Sequence, residues 1–123
     1  MIAYAPGMRI LVLGAGHVGR ALVDALHERH ELILIDLDYD RLASLHERYD
    51  VRTVEGDGTT RGILRKAGVE SADLLIACCP REEVNLVCAM LVKRLSSKAQ
   101  TIIRTTSAAY LEAWRERHLE VDF

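Results

Sequence analysis

Apolar runs and helical periods take turns along this chain. Residues 8–14, MRILVLG, are rich in Ile, Leu and Val and close on Gly14, the pattern of a buried parallel strand. Residues 17–30, HVGRALVDALHERH, set Val18, Leu22, Ala25 and Leu26 at helical spacing. ELILID at 31–36 predicts a second buried strand. DYDRLASLHERYD at 38–50 predicts a helix with Leu42 and Leu45 on one face, its acids first and its bases later, the order a helix dipole favours. VRTVEGD at 51–57 reads as a short strand ending in a turn, and TTRGILRKAGV at 59–69 as a short helix with Gly68 at C′. ADLLIACC at 72–79 predicts another buried strand. Pro80 then opens a helix over 81–97 with apolar Val84, Val87, Cys88, Leu91 and Leu95. TIIRTT at 101–106 predicts a strand, Ser107 caps a helix over 108–118, and LEVDF at 119–123 predicts a last strand. The periodic pattern begins at Met8, so residues 1–7 are expected to form a short leader.

Strand–helix units repeated in this way build a parallel sheet with helices on both faces. Right-handed crossovers leave few topologies. The expectation is one domain over 8–123, an α/β Rossmann-like doubly wound sheet of six strands in the order 3-2-1-4-5-6.

Composition narrows the possible functions. A chain of 123 residues is long enough for one proper core. Its 16 basic and 18 acidic residues leave a net charge of −2, which gives no footprint for nucleic acid. No apolar stretch approaches the roughly 20 residues a membrane-spanning helix needs. The start, MIAYAPGMR, has neither a basic n-region nor a long apolar h-region, so no signal peptide is expected. Three cysteines, Cys78, Cys79 and Cys88, without framework spacing argue for a reducing, cytoplasmic compartment. Cys78-Cys79 is not a CxxC pair and reads as buried, inert thiols at a strand end.

The chemistry concentrates where the first strand meets the first helix. Gly14, Gly16 and Gly19 stand at that seam in the spacing GxGxxG. Gly14 allows a tight turn, Gly16 removes a Cβ that would hold a pyrophosphate away, and Gly19 lets helix and strand approach. Phosphates would then sit on unpaired N–H groups at the helix N-terminus. A glycine-rich turn without a ligand is the alternative. Asp36 ends the second strand at the separation the dinucleotide fingerprint requires. Its carboxylate can accept both hydroxyls of an adenosine ribose and repels a 2′-phosphate, which favours NAD or an adenine nucleotide over NADP. A helix cap or solvated turn is the other use of an acid there. Leu37, Asp38 and Arg41 follow as further candidate contacts near the adenosine, with Asp38 also placed to cap the next helix. In GDGTT at 56–60, Gly56 and Asp57 fall on the ligand-binding edge of such a sheet. Asp57 can accept from an adenine amino group or cap the helix that Thr59 and Thr60 begin, and the residues alone leave both open.

In order and spacing, RILVLGAGHVGRAL, ELILIDLDYDRL, VEGDGTT, ADLLIACCPREEVNL and TIIRTTSAAY resemble the TrkA N-terminal domain, also called the RCK or KTN domain. The resemblance runs over nearly the whole chain from Met8. Its more specific parts are the Asp-x-Asp after the second strand, the Gly-Asp-Gly-Thr after the third, and Asn85. It implies a cytoplasmic regulatory domain lying against the inner face of a membrane, partnered with a potassium transporter or channel. It implies NAD or NADH in the cleft, with ATP or ADP as alternatives, and assembly as homodimers and rings. The contacts it implies are Gly14, Gly16, His17, Val18 and Gly19 at the phosphates, Asp36 at the ribose, and Asp57 with Gly56 beside the adenine. Ala77 and Cys78 would line the cleft wall. His17 stands where some relatives carry an arginine facing a terminal phosphate. A mostly neutral histidine offers less to a triphosphate, which tilts the expectation to NAD(H).

The runner-up is an NAD-dependent oxidoreductase domain without its substrate domain. Hydride transfer needs a proton-transfer group beside the nicotinamide. His27, His30, His46 and His118 instead fall in or beside charged helical segments, and the chain is read as a non-enzyme. A third class is an assembly module using the helices around Val84, Leu91, Tyr110 and Trp114.

Overall fold

The computed structural model describes residues 7–106 together with 108, 109 and 112. Most of the expected leader, most of the helix expected over 108–118 and the sixth strand at 119–123 lie outside the described residues. The elements run β1 (Arg9–Leu13), α1 (His17–Leu26), β2 (Glu31–Asp36), α2 (Tyr39–Tyr49), β3 (Arg52–Glu55), α3 (Arg61–Lys66), a 3-10 turn (Val69–Ser71), β4 (Leu74–Ala77), α4 (Glu82–Leu95) and β5 (Gln100–Ile103).

The five strands among the described residues are all parallel, in the order β3-β2-β1-β4-β5. This is the expected doubly wound order over the strands described. The central strands read as continuous apolar runs because helices cover both faces. Leu11, Leu13, Ile33, Ile35 and Leu75 face one core with α3 and α4, while Ile10, Val12, Leu32 and Leu34 face the other with α1 and α2.

The element ends differ from the sequence reading for local reasons. Apolar periodicity in α1 stops at Leu26, and 27–30 close as a turn in which the amides of Arg29 and His30 donate to the Leu26 carbonyl. The stretch expected as one helix over 59–69 breaks at Gly68, whose φ of 80° is left-handed, and a 3-10 turn follows. Asp38 caps α2, its Oδ1 accepting from the amides of Asp40 at 3.0 Å and Arg41 at 3.2 Å. The buried stripe of α4 is Asn85, Cys88, Ala89 and Val92; of the expected line Val84, Val87, Cys88, Leu91 and Leu95 only Cys88 belongs to it. Val87 is 44% exposed, and Val84 and Leu91 pack only at the margin. Small Cys and Ala side chains let the helix lie close to the sheet on that stripe.

Candidate functional site

The carboxyl ends of β1, β2 and β3 open onto one cleft. Leu13 and Gly14 supply it from β1, Ile35, Asp36 and Leu37 from β2, and Gly56, Asp57 and Gly58 from the loop after β3. Cys79 and Val84 form the facing wall. In the order β3-β2-β1-β4-β5 the crossovers change face between β1 and β4, and ligands of an open parallel sheet sit beside such a switch point.

The three glycines differ in what surrounds them. Gly14 has φ of 109°, a left-handed conformation that other residues rarely adopt. A Cβ on Gly19 would lie 1.9 Å from the Gly14 carbonyl oxygen, so the first turn of α1 rests directly on the loop. A Cβ on Gly16 would meet nothing within 4 Å. That side of Gly16 is open. Gly16 is also the N-cap of α1, with no side-chain cap and no acid in the first turn. The first amides of α1 are therefore left to whatever anion approaches, and the helix dipole favours one there. His17 and Val18 are exposed on that first turn and lie outside the residues that line the cleft itself.

Asp36 is half-buried and holds the loop in place. Its Oδ2 accepts the Ala15 amide at 2.7 Å and its Oδ1 the Asp38 amide at 2.8 Å. Each oxygen keeps a second lone pair that faces no described donor. Leu37 is 71% exposed beside it, an apolar side chain presented at the cleft. Asp38 faces into α2 as its cap, and Arg41 pairs with it at 3.6 Å, both side chains about half exposed. Neither lines the cleft.

Asp57 organises its own loop. Its Oδ1 accepts from the Thr59 hydroxyl at 2.6 Å and the Thr59 amide at 2.9 Å. These two bonds, the hydroxyl foremost, hold its carboxyl below the usual carboxylate range, with Arg81 adding to the effect. The turn-forming use of Asp57 is thus present in the fold, and its Oδ2 accepts no described hydrogen bond.

Ala77 and Cys78, expected on the cleft wall, lie beneath it. Ala77 is fully buried in β4, and the Cys78 thiol points back to the carbonyls of Leu13 and Gly14 at 3.4 and 3.7 Å. Burial pushes the Cys78 thiol up to about 11 and that of Cys88 to about 12, so both stay protonated. The wall residue is Cys79, one place further along. The register of β4 decides this: a strand alternates its side chains, and the sequence does not say where the strand ends. Leu13, Ile35, Gly58 and Val84 are the other lining residues, none of them among the contacts expected from the sequence. Gly58 carried a signal, since it sits inside the GDGTT turn. The rest looked like core.

Among the described residues no group of His, Cys, Asp and Glu is arranged to hold a metal ion. No helix among them is long and apolar enough to cross a membrane.

The sequence profile of the TrkA-N domain matches residues 10–122. Over 105 residues the chain is 42% identical to the Trk system potassium uptake protein TrkA of Halomonas elongata, covering 85% of this chain and 23% of that protein. The chain thus spans about a quarter of the length of the curated relative. The fold is similar to the TrkA-N domain of inner membrane protein ybaL from Escherichia coli, with a TM-score of 0.79 at 24% identity, covering 97% of this chain and 87% of that one. It is also similar to the GsuK channel bound to NAD, with a TM-score of 0.73 at 20% identity, covering 98% of this chain and 22% of that one. At these identities the two solved structures speak to the fold alone.

Proposed function

This chain belongs to the TrkA-N domain family, and from that premise we propose that it is a nucleotide-binding regulatory domain of a potassium transport system. Its ligand is NAD or NADH, with ADP and ATP as the alternatives. Its partner is a membrane-embedded potassium transporter or channel, which it meets from the cytoplasmic side as a homodimer or a ring of such domains. The observation that carries the reading is the single hydrogen bond from the Ala15 amide to Asp36. It brings the glycine-rich turn, the uncapped start of α1 and the ribose-type carboxylate to one cleft.

In this reading the amides of His17, Val18 and Gly19 receive the diphosphate over open Gly16. The free lone pairs of Asp36 receive the ribose hydroxyls, and the adenine lies between Leu37 and the Gly56–Asp57 loop. The domain regulates without chemistry. A ligand shifts its conformational equilibrium only by as much as it prefers one state, so two nucleotides of different fit set two populations. The curated relatives, named as potassium uptake proteins, support a regulatory role over the oxidoreductase alternative.

Thermal-shift titration with NAD, NADH, ATP, ADP and NADP tests this. A ligand that binds only the native state raises the melting temperature with occupancy. The expected outcome is a rise with NAD or NADH and little with NADP. Flat curves with all five would overturn the nucleotide reading.

A further inference from the structure

We infer that Asn85, on α4, is a positioning residue of the nucleotide cleft, setting the distance at which the wall after β4 backs the glycine-rich turn. The inference rests on the nucleotide reading above for its ligand, and on the following contacts for its geometry. Asn85 is fully buried. Its Oδ1 accepts the Cys79 amide at 2.9 Å, and its Nδ2 donates to the Cys79 carbonyl at 2.8 Å and the Arg104 carbonyl at 3.3 Å. The partners dictate how the amide points, because one N–H needs an acceptor and two carbonyls need donors. No other side chain of this size offers both in one plane.

Cys79 carries the effect onward. A Cβ on Gly14 would stand 3.1 Å from the Cys79 nitrogen and 3.2 Å from its Cα, so this main chain is packed against the glycine-rich turn. Cys79 also lines the cleft. Asn85 fixes Cys79, Cys79 backs Gly14, and Gly14 sets the turn that presents the first amides of α1. The same end of α4 has a second anchor. Glu82 Oε1 accepts the amide and the hydroxyl of Thr106, beyond β5. The start of α4 therefore grips the ends of both β4 and β5, and the helix is mechanically part of the cleft.

A buried amide without partners also costs stability, so the test must separate position from stability. Three variants are compared: Asn85→Leu, Asn85→Ser and the control Val92→Ala. Val92 is fully buried on the same helix, two turns further from the loop that Asn85 holds. NAD affinity is measured by calorimetry well below each melting temperature, and hydrogen exchange is followed at the Cys79 amide. Both Asn85 variants are expected to lose NAD affinity by about tenfold or more and to speed Cys79 exchange by a similar factor. Val92→Ala is expected to lower the melting temperature while keeping NAD affinity within about twofold, as separate sites do. Should Asn85→Leu fail to fold, Asn85→Ser carries the same comparison. Wild-type affinity in the Asn85 variants, or an equal loss in Val92→Ala at matched stability, would overturn the inference. If the wild-type chain takes up no NAD, the nucleotide reading fails. Unchanged Cys79 exchange in the variants then overturns the positioning role on its own.

Discussion

The carboxylate of Asp36 accepts the main-chain amide of Ala15 at 2.7 Å, across 21 residues of sequence. It ties the end of β2 to the turn after β1, and its other oxygen holds the Asp38 amide at 2.8 Å. One residue thus shapes the loop and, in the proposed reading, also receives the sugar. Asp36→Ala is expected to weaken NAD binding by about 1–3 kcal/mol, the range for hydrogen bonds to a charged group. It should also lower the melting temperature, because two amides lose their acceptor. Calorimetric titration and thermal denaturation of the same preparation read both effects. An unchanged dissociation constant would refute the ribose assignment.

Gly16 and Gly19 should respond in opposite ways to an added side chain. Gly16→Val places its side chain in open space, so the fold is expected to persist while NAD binding is lost. Gly19→Ala drives a methyl to 1.9 Å from the Gly14 carbonyl oxygen, a backbone atom that cannot swing aside. Stability should fall by about 1–3 kcal/mol or more, as overpacking does. Circular dichroism melts with parallel NAD titrations separate the two. Tight NAD binding by Gly16→Val would refute the phosphate placement.

Much of this was legible before the structure, and for physical reasons. The order β3-β2-β1-β4-β5 follows from strand–helix alternation and crossover handedness, which are properties of local sequence. Gly14, Gly19, Asp36 and the Asp38 cap each sit where a local rule puts them. What stayed hidden depends on partners far along the chain. Asn85 stood out in the sequence only as part of the family resemblance, without a role, because its partners at Cys79 and Arg104 lie outside its own helix. The expected face of α4, drawn through the apolar Val84, Val87, Cys88, Leu91 and Leu95, shares only Cys88 with the buried stripe, which also takes in Asn85, Ala89 and Val92. The exchange of Cys78 for Cys79 on the wall is a one-residue matter of where β4 ends, and side-chain alternation magnifies such an error into the wrong face.

Acid should destabilise the fold through Asp57 and Asp73. Both carboxyls are held below their ordinary value of 3.8, Asp57 chiefly by the Thr59 hydroxyl and Asp73 chiefly by the Arg9 amide, with Lys98 assisting. A carboxyl depressed in the folded state contributes stability above its unfolded pKa and loses it as pH falls through the folded one. The contribution is therefore present at neutral pH and is lost below about pH 4. Urea midpoints measured from about pH 5 to about pH 2.5 should decline in the wild type. They should decline less steeply in Asp73→Asn, whose residue does not titrate. Parallel slopes for the two proteins would exclude the Asp73 contribution.

The cysteines offer a chemical reading of the cleft. Cys78 and Cys88 are buried, with thiols raised to about 11 and about 12, so little thiolate forms and reagents have little access. Cys79 is half-buried and lines the same cleft as Asp36. Alkylation of the native chain by iodoacetamide at about pH 8 is therefore expected to modify Cys79 first, with Cys78 and Cys88 reacting only on unfolding. Bound nucleotide would cover the Cys79 side of the cleft and slow that reaction in proportion to occupancy. Peptide mass mapping over time, with and without saturating NAD, gives both rates. Modification of Cys78 ahead of Cys79 would contradict the placement of the wall. An unprotected Cys79 in the presence of a ligand shown to bind would place that ligand elsewhere on the sheet edge.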